Sequence, residues 1–179
     1  MKTAEKLYNA NGYKAVSFES IAEHAKISKR TLYKYYGSKE ALIKSVLLAR
    51  DMAFRESLNQ FVGVFMNRND KINAIMAWHI NWFHSKDFNG CMFVKAQAEF
   101  SSTNEDISRI NKAHKTWIEE LIFSSLKTSE DNRITARAVM CMIEGMISDA
   151  MIHGGSSRDY SEEKNFVLKL IQDIPDSLS

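Results

Sequence analysis

The chain opens with short apolar stripes separated by turn-forming residues. Around Leu7-Tyr8 the pattern predicts a first helix from Thr3 to about Asn11. Gly12 follows it, the residue type best suited to the left-handed conformation that ends helices. Ser17 is a natural N-cap, and Phe18, Ile21, Ala22 and Ala25 recur at i, i+3, i+4 and i+7, the single inward stripe of a second helix. Lys26-Ile27 reads as a tight turn, and Ser28 caps a third helix. At about 100° per residue, Leu32 and Tyr36 fall together and, with Ile27, predict its inner face. Arg30, Thr31 and Lys34 then point away from that core, with Tyr33 and Tyr35 on opposite flanks. Ser38-Lys39-Glu40 caps the next helix.

From Ile43 the apolar positions continue through Val46, Leu47, Phe54, Leu58, Phe61, Val62 and Phe65, one long helix stopped at residues 67–70. Asp70 is expected to cap a helix carrying Ile72, Ile75, Met76, His79, Trp82 and Phe83. Residues 87–90 read as a loop and 91–100 as a shorter helix. Ser102 or Thr103 caps a helix through Ile107, Ile110, Trp117 and Ile122. Ser129 caps another, running to Gly154-Gly155, and a last helix runs from about Ser161 to Ile174, ended by Pro175. The expectation is an all-α chain of about nine helices. An N-terminal three-helix helix-turn-helix domain occupies residues 1–44, and a larger helical domain occupies 45–179.

Composition agrees: a single proline and seven glycines leave long stretches without breakers. No apolar run approaches the ~18 residues that span a bilayer, and no signal peptide opens the sequence, so no membrane role and a cytoplasmic location are expected. Cys91 and Cys141 cannot build a disulfide framework and are read as reduced, buried side chains. Cys91, near a helix start, could also sense oxidants. His79 and His84 are five apart, off-face for chelation on one helix, so no metal and no cofactor are expected. There is no glycine-rich phosphate loop, His-Glu-x-x-His or nucleophile elbow, which argues against an enzyme.

Charge changes the picture most. The net charge is only +2, but residues 1–50 hold ten Lys or Arg against four acids, a net of +6, and the remainder is −4. A basic head on an acidic body orients a chain toward a polyanion. The third helix then suits the major groove of DNA, where Arg30 or Lys34 could bond guanine O6 and N7 and the tyrosines could meet the phosphate walls. Lys39, beside the free N–H groups of a helix start, suits a phosphate contact, as do the N–H groups at the start of the second helix.

Gly12-Tyr13, Val16-Ser17, Ile21-Ala22, Ala25, Ile27-Ser28, Thr31-Leu32-Tyr33, Tyr35-Tyr36 and Ser38-Lys39-Glu40-Ala41-Leu42 together resemble the DNA-binding domain of the TetR family of bacterial transcriptional regulators. The resemblance implies phosphate contacts from Tyr33 and Lys39. It places Lys29, Arg30, Thr31, Lys34 and Tyr35 at positions that read or flank bases, and the expected DNA-binding set also includes Ser17 and Ser28. Two departures stand out. Lys26 occupies a turn position where the family usually has glycine, and the basic arm that often precedes the first helix is expected to be short or missing here.

The later helices bear on assembly and ligand. Residues 134–152 place apolar or small side chains on two opposite sides: Ile134, Ala138, Cys141, Gly145, Ser148 and Ile152 on one, Val139, Ile143, Met146, Ile147 and Ala150 on the other. With Val167, Leu170, Ile171 and Ile174 of the last helix, the second set is expected to form a four-helix homodimer interface. Asn89-Gly90-Cys91-Met92-Phe93-Val94, Ala98-Glu99-Phe100 and His114-Lys115-Thr116-Trp117 resemble a ligand-domain subgroup of the same family. That resemblance implies a pocket for a small-molecule effector, with Trp78, His79, Trp82, Phe83, Phe93, Gln97, Trp117, Met142 and Glu144 as candidate lining. Such a set suits an apolar or aromatic ligand. The reading is a ligand-responsive regulator, a repressor by preference, released from a palindromic operator by its effector. The alternative is a DNA-binding adaptor whose helical body binds a protein partner.

Overall fold

α1 (Lys2–Asn11) ends where Gly12 turns to φ 78°, and the chain then enters a run of capped helices. The Ser17 hydroxyl accepts the Ser20 N–H at 3.1 Å to open α2 (Phe18–Ala25), and Ser28 accepts from Thr31 at 3.0 Å to open α3 (Lys29–Tyr36). Between them Lys26 adopts φ 54°, ψ 42°. The N–H groups of Lys26 and Ile27 close onto the carbonyls of Glu23 and Ala22, each at 3.0 Å, the paired bonds of a Schellman stop. The lysine therefore takes the glycine-like conformation at a cost of roughly 1 kcal/mol. Ile27 stays 41% exposed, not docked as its apolar character predicts.

Ser38 caps α4 (Lys39–Val62) through the Ala41 N–H. α5 (Arg68–Phe83) is capped by Asn67, whose side chain accepts the Asp70 N–H, so Asp70 lies in the first turn and is not the cap. After α6 (Met92–Phe100), α7 (Glu105–Ser125) is capped by Asn104, not by Ser102 or Thr103. Both corrections move the cap to an Asn, whose amide oxygen serves as well as the oxygens the sequence offered nearby. α8 (Glu130–His153) and α9 (Ser161–Gln172) complete nine helices, with no strand, among the described residues. The structure is a computed structural model describing residues 1–126 and 130–172. Ser129, Ile174 and Pro175, expected to cap, face and end helices, lie outside them.

The chain divides into two compact units, 1–54 with 91–114, and 55–90 with the residues from 115 onward. The divisions fall inside α4 and α7, and the first unit takes in more than residues 1–44. Its core packs Tyr8, Tyr13, Ile21, Leu42, Ile43, Leu47 and Ile107, all essentially inaccessible. Each such side chain contributes about 1.5–3 kcal/mol relative to exposure. The Tyr13 ring lies 5.0 Å from Tyr8 and 5.9 Å from Phe100, and its hydroxyl donates to the Met92 carbonyl at 3.0 Å. Burial holds both tyrosine hydroxyls far above their ordinary pKa.

In the second unit α5 packs on α8 and α9. Ile72, Ile75, Met76 and Phe83 are buried there with Val139, Ile143, Met146, Ile147 and Ala150 of α8 and Val167 and Ile171 of α9. At the α8–α9 turn Gly155 lies so close to α5 that a Cβ would stand 1.8 Å from the Phe83 carbonyl oxygen. The α8 stripe expected at a dimer interface is thus buried in the chain's own core. The opposite side is the one left open: Ile134 is 77% and Ile152 69% exposed, and Ala138, Cys141, Gly145 and Ser148 between them are exposed too. Cys141 is accordingly not buried, whereas Cys91 is. On α9, Leu170 is 38% and Phe166 59% exposed.

Candidate nucleic-acid interface

Leu32, 4% exposed, anchors α3 in the first unit, and Tyr36 beside it is half-buried. That anchorage fixes the rotation of the helix and leaves Lys29, Arg30, Tyr33, Lys34 and Tyr35 exposed, Tyr35 by 73%. Thr31 is half-buried, and its hydroxyl lies 2.8 Å from that of Ser28, so cap and Thr31 orient one another. Tyr33 is braced edge-on against Phe18 at 4.9 Å. Lys29 rests over the Tyr33 ring at 5.8 Å and bonds Glu19 in the first turn of α2. The bond raises the Lys29 pKa and lowers that of Glu19. Ser17 closes this surface at the start of α2, and Lys39 lies in the first turn of α4, its ammonium donating to the Lys14 carbonyl at 3.1 Å. All nine residues expected to contact DNA are thus in one compact unit, on α3 and on the starts of α2 and α4.

Sequence periodicity did not foresee how α4, α6 and α7 tie the first unit together. Glu99 on α6 accepts the Tyr13 N–H at 2.9 Å and the Lys14 N–H at 2.6 Å. Lys95 donates to the Asn9 carbonyl at 2.8 Å. Lys44 pairs with Asp106 of α7 at 2.9 Å, and Arg50 with Glu5 of α1 at 3.3 Å. The buried His114 lies 2.7 Å from Asp51, stacked on Phe93 at 3.6 Å and met edge-on by Phe54 at 4.8 Å. Each tie spans helices far apart in sequence, so no local pattern signals it.

The nine residues expected around an effector are divided between the units. Phe93 and Gln97 belong to the first, where Phe93 stacks on His114 and Gln97 accepts from Asn111 at 3.1 Å. In the second, Trp78, His79, Trp82 and Phe83 form a run of ring contacts along α5, extended by Phe88. Trp117 receives Arg55 over its face at 5.0 Å, and Glu144 accepts from Lys115 at 2.6 Å. Met142 is half-buried, as are Trp78, Trp82 and Trp117. His79 is fully buried and its pKa falls to about 4, mainly through burial. A groove of about 610 Å³ between α4 and α7 in the first unit is lined by none of the nine. Among the described residues no helix is long and apolar enough to cross a membrane, and no group of three or more His, Cys, Asp or Glu could hold a metal ion.

Residues 1–46 match the family model described as bacterial regulatory proteins, tetR family. The chain is 26% identical over 184 residues to an uncharacterized HTH-type transcriptional regulator, YuxN of Bacillus subtilis, an alignment covering 100% of this chain and 62% of that protein. It is 24% identical over 134 residues to the HTH-type transcriptional repressor NemR of Escherichia coli, covering 74% of this chain and 67% of the repressor. The chain thus spans about two thirds of the length of these relatives. Its fold is that of a cysteine mutant of the TetR family transcriptional regulator CifR, solved with 26-base-pair double-strand operator DNA. That likeness has a TM-score of 0.79 at 16% identity, over 97% of this chain and 94% of that one.

Proposed function

We propose that the chain, whose first 46 residues match the family model described as bacterial regulatory proteins, tetR family, is a DNA-binding transcriptional regulator and not an enzyme. In this reading it acts as a homodimeric repressor on a palindromic operator and is released by a small apolar or aromatic effector. The observation that supports it best is α3 itself, rooted by Leu32 and presenting Arg30, Lys34 and Tyr35 outward between two braced flanks. Arg30 and Lys34 supply donors for base edges, while Tyr33, Lys39 and the capped starts of α2 and α4 supply phosphate contacts. The half-buried tryptophans of the second unit supply apolar surface suited to an effector. Release follows if the effector prefers a dimer whose two reading helices no longer match successive major grooves, about 34–36 Å apart.

Selection of duplexes from a random-sequence library by the purified protein is the test, with a palindrome expected. On the selected duplex, Arg30→Ala should cost ~1–3 kcal/mol and relax preference at one base pair, whereas Lys39→Ala should weaken binding to all sequences alike. Recovery of no preferred duplex, or wild-type binding by both variants, would overturn the reading.

A further inference from the structure

The α1–α2 turn is gripped on both sides of one residue. Lys14 gives its N–H to Glu99 of α6 at 2.6 Å and its carbonyl to the Lys39 ammonium of α4 at 3.1 Å. The other Glu99 oxygen takes the Tyr13 N–H at 2.9 Å. Tyr13 itself is buried, its hydroxyl on the Met92 carbonyl and its ring edge-on to Phe100, so both ends of α6 hold the same turn. Gly12 fits this grip: at φ 78° it has no Cβ, and one built there would stand 3.0 Å from the nearer Glu99 oxygen.

We propose that Glu99 is a positioning residue for DNA binding, which sets the Lys39 ammonium through the backbone of Lys14. This rests on the reading of Lys39 as a phosphate contact. A carboxylate accepting two backbone N–H groups makes strong, charge-assisted bonds and fixes the plane of the Lys14 peptide. The lysine ammonium has three donors, so one bond to the Lys14 carbonyl orients it while two remain for a phosphate. Loss of the Glu99 grip frees the turn, and Lys39 then reaches the phosphate only after being ordered.

Charge alone predicts the opposite sign. Removing an acid from a basic unit raises its attraction for a polyanion, whereas loss of a positioning carboxylate weakens binding. The experiment is a double-mutant cycle of Glu99→Gln and Lys39→Ala, with affinity for the selected duplex read by fluorescence anisotropy and folding read by circular dichroism melting. The expected result is about tenfold weaker binding for Glu99→Gln, with Lys39→Ala costing about tenfold in the wild-type background but under about threefold in Glu99→Gln. Glu99→Asp, which keeps the charge but withdraws the carboxylate by one methylene, goes through the same cycle and takes over if the Gln variant does not fold. A merely structural role lowers the melting temperature and leaves the cost of Lys39→Ala equal in both backgrounds. Equal costs, or unchanged or tighter binding by the Glu99 variants, overturn the inference while leaving the DNA-binding reading intact. A wild-type protein that holds no duplex overturns both.

Discussion

His79 shows how one buried side chain ties stability to pH. Its Nδ1 lies 2.8 Å from the Ile75 carbonyl, and burial outweighs that bond in holding its pKa near 4, with Lys115 adding to the depression. Unfolded, the same ring titrates near 6.5. Above 6.5 both states are neutral and the stability is fully present. As pH falls from 6.5 to 4 the unfolded chain takes up a proton that the folded one refuses, and stability is lost, by roughly 3 kcal/mol once pH is below 4. Urea unfolding of wild type and His79→Gln between pH 7 and pH 4 checks this. The variant is less stable at pH 7, where it forfeits the packing of the imidazole, and the gap narrows or reverses toward pH 4. A gap independent of pH would mean that His79 titrates normally in the folded state.

At the scale of the helix, α8 carries two rows that helical spacing alone does not separate. Val139, Ile143 and Ile147 lie on one, and Ile134, Ala138 and Ile152 on the other, where the small residues Gly145 and Ser148 stand between them. Only packing against α5 and α9 decides that the first row is sealed in the chain's own core and the second is open. Ser17, Ser28 and the Lys26 turn were legible because a cap or a tight turn is a bargain among neighbours. The Glu99 grip was not, because its partner lies 86 residues away and a carboxylate in a helix looks the same whether it faces water or a backbone N–H. Of the nine residues expected around an effector, Phe93 and Gln97 belong to the first unit and the other seven to the second. In the proposed homodimer, the open row on α8, with the exposed Phe166 and Leu170 of α9, is the surface that a second copy of the chain would cover. Ile134→Asp with Ile152→Asp should therefore leave each protomer folded by circular dichroism and shift the sedimenting species from dimer to monomer. A wild-type monomer, or a double variant that stays dimeric, would move the interface elsewhere.

Across the whole molecule, charge and pairing act on the same equilibrium. On the proposed reading the +6 of residues 1–50 attracts the protein to any duplex, and one such unit alone would neutralise few phosphates. Two linked in a dimer make the second engagement intramolecular, which raises overall affinity by roughly 10²–10⁴ without new contacts. Both effects can be read from salt dependence, because each neutralised phosphate adds about −0.9 to the slope of log K against log salt. The Ile134→Asp, Ile152→Asp protein keeps every residue of the DNA-facing unit but should bind the palindrome with about half the wild-type slope and at least ~10²-fold more weakly. On a duplex bearing a single half-site the two proteins should differ little in either quantity, since only one unit can engage. Anisotropy titrations across a salt series on both duplexes separate the cases. Equal slopes on the palindrome would mean that one protomer makes all the phosphate contacts, and that pairing through α8 and α9 contributes nothing to holding DNA.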